Sequence, residues 1–152
     1  MSSPASIRSH PIHPMLIVFP IGLWIFSFVC DILYHAGSHN PFWKEVAFYT
    51  MLGGVIGALL AALPGFIDYL SLRDRRVKQI ATTHMILNLV VVALFIFNLG
   101  IRYTAGSENN LLAVVLSIVG IGILAVSGWL GGSLVYVHHV AVEPPREQRR
   151  AA

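Results

Sequence analysis

The sequence predicts an all-α protein, an integral membrane four-helix bundle of up-down topology with short loops, and three observations predict it. Of the 152 residues, 56% are hydrophobic and 11% charged, whereas a soluble domain carries ~25% charge. Four apolar stretches follow one another, each long enough at ~1.5 Å per residue to cross the ~30 Å of hydrocarbon in a bilayer. The polar segments between them are short, so consecutive helices must run antiparallel. In lipid each backbone N–H and C=O needs a partner within its own segment. Stretches this apolar, without polar alternation, cannot line a barrel, which leaves helices.

The first stretch runs roughly from Pro14 to Tyr34 and follows "MSSPASIRS", which lacks the small-residue cleavage pattern of a removed signal peptide. It is therefore expected to stay as a span. The second, Glu45 to Leu70, comes after the turn "HAGSHNP"; the third, Ile80 to Tyr103, after "SLRDRRVKQ"; the fourth, Leu111 to His138, after "TAGSENN". Pro20 and Pro64 lie inside spans, where a missing N–H predicts kinks. A single transmembrane domain accounts for residues 1–152, with 139–152 as a basic cytoplasmic tail. Cys30 is the sole cysteine, so no intrachain disulfide forms, and it reads as a small buried residue. The G-x-x-x-G pairs Gly53/Gly57 and Gly128/Gly132 read as packing faces, and Trp24, Trp43 and Trp129 as belt or core aromatics.

Orientation comes from the cations. The face that carries the N-terminus, the middle loop and the tail, termed side A, holds Arg8, Arg73, Arg75, Arg76, Lys78, Arg146, Arg149 and Arg150, eight of the ten Lys and Arg. Lys44 and Arg102 fall on the opposite face, side B. The positive-inside rule then predicts a multi-pass protein of the bacterial inner membrane with both termini cytoplasmic. The tail "PPREQRR" is short and has no interleaved aromatics, so nucleic acid is not an expected partner.

This topology brings His10, His13, Asp68, His84 and His138 to side A. The x-Pro pairs of "SHPIHPM" bias both His10 and His13 toward extended backbone, so that the segment would cap the bundle as a lid of nitrogen donors. On the third helix His84, Asn88, Asn98 and Arg102 fall within ~40° of one line, a polar stripe that should face the bundle interior. On the fourth, Ser117, Gly120, Gly128, Gly131 and His138 share an arc of ~80°, where small residues let a backbone or a flat ligand approach. Two chemistries fit. His10, His13, Asp68, His84 and His138 could ligate a transition-metal ion such as Fe, Cu or Zn. Alternatively His84 and another inward histidine such as His138 could hold haem b, with Gly128 and Gly131 making room and Asn88 beside them. A plainer alternative has the same groups bonding headgroups and loops, with Asp68 paired to Arg73 or His84. No catalytic nucleophile is visible, so a binding or electron-transfer subunit is expected rather than a stand-alone enzyme. A non-enzymatic scaffold, or a carrier of protons or metal ions using the stripe as a wet path, is the alternative function.

"HPIHPMLIVFPIGLW" (10–24), "PGFIDYL" (64–70), the His84 and Asn88 pair, and "GWLGGSLVYVHHVAV" (128–142) resemble the bacterial membrane family catalogued as domain of unknown function 2231. The resemblance covers nearly the whole chain. It implies a four-helix membrane domain, and because some members are joined to a Rieske-type iron-sulfur domain, it implies a redox setting. This chain has no Rieske cysteine and histidine pairs, so a redox partner such as a Rieske-type protein would be another polypeptide; self-association stays open.

Overall fold

The computed structural model describes residues 3–8, 10–105 and 111–142. The tail arginines Arg146, Arg149 and Arg150 and most of "TAGSENN" lie outside the described residues. A two-residue hairpin comes first, β1 (Ser6–Ile7) antiparallel to β2 (His10–Pro11). Then follow α1 (Ile12–Leu16), α2 (Val18–Leu33) with a π turn at Tyr34–Ser38, α3 (Pro41–Ser71), α4 (Arg75–Ala105) and α5 (Leu111–Tyr136). The four stretches Ile12–Ser38, Pro41–Ser71, Arg75–Thr104 and Leu111–Tyr136 are long and apolar enough to cross a membrane. The protein is an all-α four-helix membrane bundle.

The helices start earlier than the hydropathy suggests because polar residues cap them. Asn40 Oδ1 accepts the Phe42 N–H at 3.0 Å, with Pro41 in the first helical position, where no N–H is needed. Asp74, inside the charged run, accepts the N–H groups of Arg76 and Val77 at 2.8 and 3.1 Å and so opens α4. Those two bonds, Val77 first, hold the Asp74 carboxyl below the ordinary carboxylate range. A depressed acid stabilises above its unfolded value, about 3.9, and that contribution is lost as pH falls through its lower folded value. The protection factors of the Arg76 and Val77 amides, measured against their intrinsic exchange rates, are expected to fall across that acid window, and in Asp74→Ala to be low at every pH.

Pro20 cannot donate to the Leu16 carbonyl, and the first span breaks between α1 and α2 at Ile17. His13 lies within α1 rather than in extended backbone. Pro14, which should bias it outward, falls in the first helical turn, where the missing N–H costs nothing.

The first span packs against α3 and α4 against α5, giving two hairpins. Contacts of α3 with α4 and of α2 with α5 close the square. At its centre lie Trp24, Met51, Val55, Val91, Phe95 and Leu124, with Trp24 stacked on Phe95 at 4.4 Å between ring centroids and 12° between planes. Cys30 is fully buried and Trp24 nearly so, whereas Trp129 is exposed on the outer, lipid-facing surface. A smaller core of Leu72, Ala81 and Leu134, joined by Val140, sits at side A. Gly53 and Gly57 do pack, their Cβ positions meeting Leu23 and Phe19 at 3.3 and 3.2 Å, but Gly128 and Gly132 have nothing within 4 Å. On α5 the close approach falls at Gly120 and Gly131 instead, because the helix turns those positions toward α4.

Candidate functional site

At side A the residues singled out by sequence separate into a pair and three outliers. His10 is exposed in β2, and its Nδ1 donates to the Arg8 carbonyl at 2.9 Å, so it serves its own hairpin. Asp68 is buried near the end of α3, where it accepts the Ser3 Oγ–H at 2.6 Å and the Ala5 N–H at 3.3 Å. Ala5 in turn accepts the Ile12 N–H at 3.0 Å. The carboxylate therefore clamps the N-terminal segment against the bundle, and its bonding partners are Ser3 and Ala5 rather than Arg73 or His84. His138 lies just past α5 in a turn closed by its own N–H on the Ser133 carbonyl at 3.1 Å. Its charge acts on Asp74, which places it by the α3–α4 connection.

His13 and His84 form the pair. Pro64 stands in the turn of α3 that begins at Ala61. Into that turn His13 Nδ1 donates, to the Ala61 carbonyl at 2.8 Å. Its ring lies flat on Gly65, where a Cβ would come 2.6 Å from Nδ1. His84 turns inward from α4 as its polar stripe requires, and its Nδ1 donates to the Ser127 carbonyl at 2.8 Å. That ring covers Gly131, where a Cβ would come 2.9 Å from Cε1. Ser127 Oγ also lies 3.1 Å from Nδ1, and the Asn88 amide donates to Nε2 at 3.1 Å and to the His84 carbonyl at 2.9 Å. A carbonyl only accepts, so in both rings Nδ1 carries a proton, and in His84 the Asn88 N–H on Nε2 leaves that nitrogen its lone pair.

The space that Gly131 was expected to offer a porphyrin is thus filled by an imidazole, and Gly128 faces outward. Among the described residues no three side chains of His, Cys, Asp and Glu are gathered as ligands for one ion. Gly131→Ala and Gly65→Ala are each expected to push a ring off its carbonyl and to cost roughly 1–3 kcal/mol, the range for overpacking. Thermal unfolding in detergent measures it.

Sequence reasoning missed the strongest polar feature, at side B. Arg102 forms a two-pronged ion pair with Asp31, Nη1 to Oδ1 at 2.7 Å and Nη2 to Oδ2 at 2.5 Å, with side chains 11% and 4% exposed. Asn98 Oδ1 accepts from Arg102 Nε at 3.0 Å, and Ser117 Oγ accepts from both residues. In the sequence Asp31 stands next to Cys30 near the side B end of the first span and Arg102 near the side B end of the third; an acid and a base at one membrane face were the available signal.

The family described as a predicted membrane protein, DUF2231, matches residues 9–144. The chain belongs to that family. Comparison with curated proteins and with solved structures gives no match. The DUF2231 match takes in His10, His13, Asp68, His84 and His138 together, and with them both hairpins and the side B ion pair.

Proposed function

We propose that this DUF2231 protein is a multi-pass protein of the bacterial inner membrane, termini in the cytoplasm, that carries a His-ligated redox centre near its cytoplasmic face and passes electrons to a separate partner such as a Rieske-type protein. The observation that carries the reading is the matched pinning of His13 and His84. Each Nδ1–H is spent on a backbone carbonyl of the next helix, which fixes the tautomer and orients Nε2, the arrangement that tunes metal-bound histidines. Imidazole nitrogen suits Fe, Cu and Zn. With Gly131 already covered, an ion is better supported than haem b, which would need the rings to part. An ion on His84 Nε2 replaces the Asn88 N–H there, and Asn88 keeps its bond to the His84 carbonyl. His10, Asp68 and His138 act in this reading by holding the backbone around the pair.

Full-length protein purified from cells with ample iron and haem, through a tag without histidines, tests the reading by absorbance and metal analysis. About one metal ion per chain, or a Soret band, is expected; neither would overturn it.

A scaffold role is favoured by one fact: among the described residues every buried side-chain nitrogen and oxygen has a hydrogen-bond partner. The same experiment separates the two readings. A carrier role loses its route, because the Trp24–Phe95 stack and Val91 interrupt the stripe between Asn88 and Asn98.

A further inference from the structure

The contacts inside the first hairpin recur inside the second. In the first, His13 bonds the Ala61 carbonyl beside Gly65, Trp24 lies over Gly54, and Ser27 Oγ donates to the Ala47 carbonyl at 2.7 Å. In the second, His84 bonds the Ser127 carbonyl beside Gly131, Phe95 lies over Gly120, and Asn98 Nδ2 donates to the Ala113 carbonyl at 2.8 Å. His84, Phe95 and Asn98 each stand 71 residues after His13, Trp24 and Ser27, and so does Arg102 after Asp31. Their partners Ser127, Gly131, Gly120 and Ala113 each stand 66 residues after Ala61, Gly65, Gly54 and Ala47. The five-residue difference is a shorter connection in the second hairpin, 11 residues from Arg102 to Ala113 against 16 from Asp31 to Ala47. Both hairpins enter the membrane from side A, so the relation is that of parallel repeats about an axis along the membrane normal.

Equivalent residues can touch each other only on such an axis, and two equivalent pairs do. Trp24 stacks on Phe95, and Asp31 pairs with Arg102. His13 and His84 each precede the members of that ion pair by 18 residues, so the two stand at matched positions of the repeats, on the same side of the bundle.

We infer that the chain is a duplicated helical hairpin whose halves are related by a twofold axis through the bundle, and that His13 and His84, equivalent across it, are the two protein ligands of one transition-metal cation at side A. The ligand assignment rests on the function proposed above; the duplication does not. Two imidazoles ligating through Nε2 select a borderline cation over Mg²⁺ or Ca²⁺ and leave its remaining positions to water or an external ligand. The axis also explains why the matched histidine of α4 is in the first span and not at the end of α5.

The experiment has two arms on full-length protein in detergent. In the first, Cu(II) is titrated into wild type, His13→Asn, His84→Asn and the controls His35→Asn and His39→Asn, both at side B. An asparagine can still donate to the Ala61 or Ser127 carbonyl, so the fold is kept while Nε2 is removed. One Cu(II) per chain is expected, weakened at least 10-fold by either member of the pair and unchanged by the controls. Unchanged affinity in either His13→Asn or His84→Asn overturns the pairing; no Cu(II) binding by wild type overturns the pairing and counts against the proposed function. In the second arm, thermal stability is compared for Asp31→Arg, Arg102→Asp and the double swap. Equivalence across an axis predicts that the swap recovers at least half of the loss in the single variants. A swap no better than the singles overturns the duplication, whatever Cu(II) does.

Discussion

Asp31→Ala is expected to destabilise the bundle by about 3–5 kcal/mol, the cost of leaving a buried charge without its partner. For a chain of this size that is a fall in Tm on the order of 10 °C. The Arg102 guanidinium loses both prongs of its ion pair and keeps only Asn98 and Ser117, whose neutral oxygens cannot balance its charge. The pair joins the first span to α4, diagonal helices whose backbones barely approach each other, so its loss releases one hairpin from the other at side B. Removing both charges in Asp31→Ala/Arg102→Met is expected to cost less than Asp31→Ala alone, since no unpaired ion remains. Thermal unfolding in detergent, with the double-mutant cycle, measures both.

Trp24→Ala is the second large effect, expected at about 3–5 kcal/mol for the loss of a buried large aromatic and the cavity left behind. Three contributions go together: the stack on Phe95, the Nε1–H bond to the Met51 carbonyl at 3.2 Å, and the filling of the notch at Gly54. Trp24→Phe keeps the stack and is expected to recover most of the stability. Tryptophan fluorescence and thermal unfolding of the two variants check the order.

Four spans, their antiparallel sequence and the inward turn of His84 could all be read from hydropathy and helical phase, because lipid leaves a chain few choices. What topology supplies is a face, not a point. It put His10, Asp68 and His138 at side A, but the short range of hydrogen bonding decided where each went: to Arg8, to Ser3 and Ala5, and to the turn beside Asp74. The duplication is faint in the sequence because its contact residues conserve roles more than residue types. Among the contact pairs only His13/His84, Gly54/Gly120, Gly65/Gly131 and Ala47/Ala113 are identical, while Trp24 answers to Phe95, Ser27 to Asn98 and Asp31 to Arg102. The same offset repeats Leu16, Leu23, Ile25 and Phe26 as Leu87, Leu94, Ile96 and Phe97, but these are apolar types common to every span. An acid matched to a base hides the relation further, yet it is what an axis demands, since two equal charges could not meet there. Gly128 faces away from α4 while Gly131 meets it, because three residues turn a helix ~60° short of a full circle.

The most direct test of the central claim is to count the imidazoles on a bound ion. In pulsed electron paramagnetic resonance, Cu(II)-loaded protein shows modulation from the remote nitrogen of each coordinated imidazole. The account predicts two in wild type and one each in His13→Asn and His84→Asn. A wild-type signal without imidazole modulation, or one that survives unchanged in either variant, would contradict it.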